Sequence, residues 1–278
     1  MKTILQSLSI CVYQLRILSR NYKLYALPVC LFVFMWNALE PLRSFISSVG
    51  VNATPFLFSF LFDDIFLCPL LFAGILLFFT DAPFYDKQQL FVVLRCQAFR
   101  WSLGQIIYVF VISVFYTGFL LFLSILILFP HLSFKGDWGK IWTTLAITGA
   151  GSELGLSFGV SKSVLFDYTP LQAVALTFLL VVLICSLYGF LMWCLNLYLG
   201  RAISLILVLA SICLVIRIRF LPTWLTYLCP SSWADLAGLS EYALHGLSLP
   251  KALVILLIGN IFLAVLAFFK TIHSDIAK

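Results

Sequence analysis

Charge is scarce in this 278-residue chain: only 10% of its residues are Asp, Glu, Lys or Arg, against about 25% in an ordinary soluble domain. Hydrophobic residues make up 63%, and the mean hydropathy is +1.11. A soluble fold of this size has too few charged side chains to cover so much apolar surface. A water-soluble enzyme, a nucleic-acid binder and a disordered tail are thereby excluded for the chain as a whole. The net charge of +6 then bears on which loops face which side of a membrane. Strand-period alternation is also missing. The run from Ile106 to Phe129 is broken only by Ser and Thr hydroxyls, Tyr and one Gly, whereas a transmembrane barrel alternates apolar and polar residues in short segments. The sequence predicts an all-α polytopic membrane protein built as one domain over residues 1–278.

Chemistry-bearing patterns are equally sparse. The eight Cys include no C-x-x-C pair and mostly fall inside apolar runs, so they read as small buried hydrophobes, neither a zinc site nor a disulfide framework. His131, His245 and His273 are scattered, with no H-E-x-x-H pair and no neighbouring metal ligands. Gly139-Lys140 superficially suggests a phosphate loop, but Phe134 stands where its first Gly belongs and Ile141 where its Ser or Thr belongs. No catalytic residue set, metal site or nucleotide-hydrolysis site is expected on this chain. The stretch MKTILQSLSICVYQLRILSRNYK lacks a small-residue cleavage motif after its apolar part, so no cleavable signal peptide is expected. No repeat of fixed period occurs.

What is present is a series of long apolar runs. Leu5, Leu8, Val12, Leu15, Leu18 and Tyr22 recur at helical steps, with Arg16, Arg20 and Lys23 gathered on another face. Such a helix (residues 1–23) lies in the headgroup layer with its bases toward anionic lipid; the alternative is that it extends the first span. Six spans are expected: about 24–39, 56–79, 106–129, 171–195, 202–216 and 252–269. Each is judged against the roughly 20 apolar residues a crossing needs. Segment 80–105 is read as a cytosolic connection, and 131–170 and 217–250 as external ones. The last contains Pro222, Pro230 and Pro250 with Trp224, Tyr227 and Trp233, which suits an interfacial or re-entrant hairpin.

Two regions stand out as candidate sites. Asp63 and Asp64 lie in the outer half of the second run, and Glu153 lies within a later one. Intramembrane carboxylates are by default pathway candidates, unless the span starts near Asp64 and the acids sit among the headgroups. Segment 80–105 carries more apolar surface than a solvated loop needs. Asp81, Pro83, Phe84, Tyr85, Asp86 and Lys87 are followed by an apolar stretch and then Arg95, Arg100 and Trp101, a pattern that suits docking against protein. An N-terminus inside puts Lys2, Arg16, Arg20, Lys23, Lys87, Arg95 and Arg100 on the cytosolic side. In a seven-span alternative, 141–160 also crosses. Charge distribution slightly prefers it, but Thr, Ser, Gly and a central Glu153 make that segment a poor inserter. Gly151, Gly155 and Gly159 there would form a close-approach stripe if helical, and merely loosen a loop if not.

The layout, together with FFTDAPFYDKQQ, RCQAFRW, DWGKIWTTLA, LNLYLGR and CPSSWADL, resembles the membrane (permease) subunit of a type-2 ATP-binding-cassette (ABC) transporter. The resemblance covers nearly the whole chain. It implies six transmembrane helices, an interfacial N-terminal helix and a re-entrant hairpin before the last span, in a bacterial plasma membrane. It implies that Asp81 to Lys87, with Arg95, Arg100 and Trp101, couple to separate ATPase subunits. These carry ATP and Mg; no cofactor is bound by this chain and no nucleic acid is a partner. A second permease subunit, identical or homologous, completes the assembly. The few intramembrane charges point to export of an amphipathic or hydrophobic cargo such as a peptide, lipid or drug. A non-transporting scaffold, or an ion-coupled carrier using Asp63, Asp64 and Glu153, are the alternatives.

Overall fold

The computed structural model describes residues 2–82, 97–148, 150–220, 228–239 and 247–273. Among these the structure is helical, with no strand. The helices are α1 (Lys2–Ser19), α2 (Lys23–Ala38), α3 (Glu40–Val49), α4 (Leu67–Phe79), α5 (Ala98–Ile127), α6 (Gly139–Ile147), α7 (Ala150–Glu153), α8 (Lys162–Asp167), α9 (Pro170–Leu199), α10 (Arg201–Cys213) and α11 (Leu249–Ile272). Short 3₁₀ turns cover Leu57–Phe60, Leu214–Phe220, Pro230–Ala234 and Ala237–Leu239.

Three of these helices, α5, α9 and α11, are long and apolar enough to cross a membrane, and α2 with α3 makes a fourth if the bent pair is one span. This architecture is compatible with a multi-pass membrane protein, but it does not support six full-length spans. Two expected spans are cut short for identifiable reasons. The run from Phe56 to Phe66 forms 3₁₀ and turn structure, buried as far as Phe62, because the Asp64 carboxylate captures the amides of Phe66 and Leu67 at 2.8 and 2.9 Å and fixes the helix start there. The remaining α4 has 13 residues, about 20 Å. α10 also has 13 residues before tightening into 3₁₀ geometry at Leu214. Conversely, α5 begins at Ala98, eight residues before the apolar run the sequence suggested, and spans 30 residues. At Leu39 the first span bends by 54° into α3, where Pro41 at the new helix start cannot continue the old ladder. The seven-span alternative fails: 141–160 breaks after Ile147, where Thr148 is extended, and again at Gly155 with φ of 68°. Gly151, Gly155 and Gly159 therefore form no helical stripe.

α9 is the hub, packing against α4, α5, α10 and α11. Its start is set by Pro170 in the first turn and by a Thr169–Gln172 capping box. Gly200, with φ of 84°, ends it. Side-chain hydrogen bonds lock it to α11: the Ser186 hydroxyl donates to Asn260 Oδ1 at 2.7 Å, and Asn260 Nδ2 donates to the Leu183 and Leu256 carbonyls. Every polar atom of that amide is used, which suits an apolar surround. At Gly189 the α4 and α5 side chains come so close that an added Cβ would sit 2.7 Å from Val109 and 2.9 Å from Phe79.

α1 lies along α5. Ser7, Ile10, Cys11 and Gln14 are its buried face, and the Ser7 hydroxyl donates to the Arg100 carbonyl at 3.1 Å. Leu5, Leu8 and Val12 stay exposed, as lipid contact requires, whereas Leu15 and Leu18 of the same stripe pack against the core. The end of the molecule where α1 meets Arg100 is called the α1 end below. The opposite α3 end is capped by α6, α8 and the segment around Thr54. There the Thr54 hydroxyl donates to the Trp138 carbonyl at 2.9 Å, and Trp142 Nε1 donates to the Thr54 carbonyl at 3.1 Å. Phe60 packs between both indoles.

Replacing Gly189 with Ala forces Val109 or Phe79 to move, at a cost of about 1–3 kcal/mol. Thermal unfolding in detergent, followed by labelling of the buried cysteines with a thiol dye, should show a lower midpoint. Gly118→Ala, with nothing within 4 Å of the added carbon, should show no loss.

Candidate functional site

The α1 end holds the described part of the candidate coupling region. Pro83, Phe84, Tyr85, Asp86, Lys87 and Arg95 lie outside the described residues, as does the Lys23 side chain. Asp81 reaches Arg201 at the start of α10, carboxylate to guanidinium, at 3.4 Å. Both side chains are well exposed, so this pair contributes little stability. Arg100 and Trp101 belong to the first turn of α5 rather than to a separate loop. Trp101 is fully buried, edge-on to Trp193 of α9 with ring centroids 6.5 Å apart. That placement makes it a packing residue between two long helices. Arg16 and Arg20 are exposed on α1, as a headgroup contact needs.

A residue that sequence reasoning passed over holds the start of this region. Asn196, near the end of α9, donates through Nδ2 to the carbonyls of Thr80 at 3.2 Å and Ala82 at 2.6 Å. These carbonyls lie just past the α4 C-terminus, where no later helical amide can reach them. The sequence showed Asn196 only as the opening of a polar turn. Its signal was an amide following a long apolar run, at the level where another helix must stop. Nearby, Ser102 Oγ, both amide atoms of Gln105, Trp193 Nε1 and Asn196 Oδ1 are buried without a hydrogen-bond partner among the described residues. Each such group costs about 1–3 kcal/mol where it cannot pair, so α5 and α9 meet here across an unusually polar and unsatisfied interface.

The α3 end holds the acids. Asp63 Oδ2 accepts the Gly159 amide at 2.5 Å. Asp64 is buried; beyond its two α4 amides, its other oxygen accepts the Ser157 hydroxyl. These carboxylates therefore fasten the start of α4 to the connection between α5 and α9. The structure adds Asp235, which accepts the amides of Ala237 at 3.0 Å and Gly238 at 2.9 Å. Asp64 and Asp235 thus use one device: each captures the amides two and three residues ahead and starts a helical turn. Glu153 is not brought to them; it is exposed at the last residue of α7. Among the described residues no group of three His, Cys, Asp or Glu is placed to hold a metal ion.

Asp235 lies in the connection between α10 and α11. Burial pushes its carboxyl up to about 6, the charge of Asp63 adds to the rise, and its two backbone amides work against it. A folded-state value above the usual carboxylate value of about 3.9 means that the folded form binds the proton more tightly. The resulting stabilisation is complete below about pH 4 and disappears as pH rises through about 6, with a ceiling of about 3 kcal/mol. Amide exchange over 230–239, corrected for its intrinsic pH dependence, should accordingly be slower at pH 5 than at pH 7.5. Asp235→Asn should abolish that difference; its survival would show that Asp235 is not the source. At the α1 end, Asn196→Leu removes two hydrogen bonds worth about 1–3 kcal/mol together. Hydrogen exchange at the amides of residues 80–82 should rise without change in the α11 amides.

Comparison of the chain with protein-family models, with curated proteins and with solved structures gives no match.

Proposed function

We propose that the chain is the permease subunit of an ABC exporter in a bacterial plasma membrane. It works with a second permease and two separate ATPase subunits, on which ATP and Mg bind. The cargo is amphipathic or hydrophobic: a peptide, a lipid or a drug. The six-span layout, with both termini cytosolic, includes α4 and α10 as short crossings, each continued by adjoining turn structure.

One observation carries this reading. At the α1 end, the termini of α4 and α9 and the beginning of α5 converge, with α1 laid along α5 beside them; segment 83–96 is the stretch of sequence that joins α4 to α5. A partner that pushes on that segment acts directly on the Asn196 clamp, and through it on α9, the helix that touches most of the others. Transport by this route needs two packings of similar free energy that the ATPases bias, and no bond-making chemistry in this chain. The unsatisfied polar groups of Ser102, Gln105 and Trp193 suit such an interface, because an alternative packing can offer them partners that this one does not. The ion-coupled alternative draws less support. Asp63 and Asp64 are occupied by backbone amides and a serine hydroxyl, and Glu153 stands apart from them.

Gentle purification from the native membrane should bring an ATPase subunit with the chain. Alanine at Phe84, Tyr85 and Arg95 together should remove at least nine-tenths of it while leaving the permease folded. If no ATPase follows even after mild crosslinking, the exporter reading fails and the scaffold reading takes its place.

A further inference from the structure

The elbow between α2 and α3 encloses a hollow of about 390 Å³ against the C-terminal end of α5, within the range of about 300–1,000 Å³ typical of small-ligand sites. Its chemistry is two-signed. Glu40 and Arg43 are three residues apart, which sets them side by side on α3, yet no ion pair joins them. The Arg43 guanidinium instead lies over the Trp36 ring, 3.3 Å from its centroid. Stacking uses the face of the guanidinium and leaves its in-plane N–H donors pointing outward, the geometry that phosphate oxygens match. Arg43 also belongs to the first turns of α3, whose positive dipole end favours an anion. Glu40 supplies the complementary negative charge, and Ser44, Ser47 and His131 complete the polar lining.

The position says what kind of molecule brings both charges. Val29, Val33 and Phe34 on α2 and Phe129 at the end of α5 are exposed, so an apolar surface leads up to the charged hollow. We propose that the hollow binds the headgroup of a phospholipid with a primary amine, its phosphate on Arg43, its ammonium on Glu40 and its acyl chains along α2. A quaternary ammonium has no N–H to donate to Glu40, and the Trp36 face that could hold it instead is taken by Arg43. An anionic headgroup without an amine would leave Glu40 unpaired beside its phosphate. This inference depends on the chain lying in a bilayer, and does not depend on its being an exporter.

The test is native mass spectrometry of the full-length protein from detergent micelles doped with phosphatidylethanolamine, phosphatidylcholine or phosphatidylglycerol at equal concentration. The wild type should retain the ethanolamine lipid about tenfold better than either of the others. Glu40→Gln should equalise ethanolamine and choline lipids while both still bind. Arg43→Ala should reduce retention of the ethanolamine lipid to the level of the other two. Both residues are on the molecule's rim, and an unchanged unfolding midpoint would verify that the variants fold. Equal retention of the three lipids by the wild type, or an ethanolamine preference that survives both substitutions, overturns the proposal. Soluble phosphoethanolamine is the competing source of the same chemistry. Its failure to displace the lipid supports the lipid assignment, and full displacement at millimolar concentration overturns it.

Discussion

Backbone groups at the ends of α4 cannot be left bare, and much of the architecture follows from how they are covered. A helix of 13 residues is only about 20 Å long, and the amides at its start and the carbonyls at its end have no partners within the helix. Asp64 receives two amides at one end, and Asn196 serves two carbonyls at the other. Each of these side chains also commits a distant piece of chain. Asp64 draws in Ser157, and Asn196 commits the last turn of α9. The short helix is therefore bracketed by long-range contacts rather than by its own neighbours in sequence.

The same logic organises α9. Ser186 and Asn260 saturate each other and two carbonyls in the middle of the α9–α11 seam, while the α4 and α5 side of α9 is set by absence of a side chain at Gly189. Polar fixation on one side and close steric approach on the other give the hub a defined rotation about its axis. At its α1 end, Trp193 Nε1 and Gln105 have no hydrogen-bond partners among the described residues. Among those residues the helix is held firmly at its middle and less completely where α5 and α9 meet the candidate coupling region.

Much of this was legible in the sequence and some was not. The helical class, the runs that became α5, α9 and α11, and the helix α1 follow from composition and periodicity alone. The run from Phe56 to Phe66 misled because Phe56 to Phe62 is apolar at all positions but Ser59, and periodicity does not separate a buried helix from buried turns in such a stretch. The deciding feature was Asp64, read as a possible pathway charge when its carboxylate serves as a helix cap. The early start of α5 was hidden because the apolar run begins only at Ile106; Arg100, Ser102 and Gln105 lower the hydropathy of the first turns without opposing a helix. Asp235 could have been noticed from its place before Ala237-Gly238. Its nearness to Asp63 could not, since 172 positions separate them. Asn196 is a tertiary partner, and nothing local marks which carbonyls it will meet.

The unequal lengths of the helices have a consequence for the surrounding lipid. α11 and the outer faces of α5 present tall apolar walls, whereas α10 exposes Ile203, Ile206 and Leu207 on a helix of only 13 residues, about 20 Å tall. α10 then continues in the tighter 3₁₀ turn Leu214–Phe220, which rises about 2 Å per residue. Without that turn a bilayer would have to thin or tilt its chains beside α10, so the turn rather than the helix sets how thick a membrane this side fits.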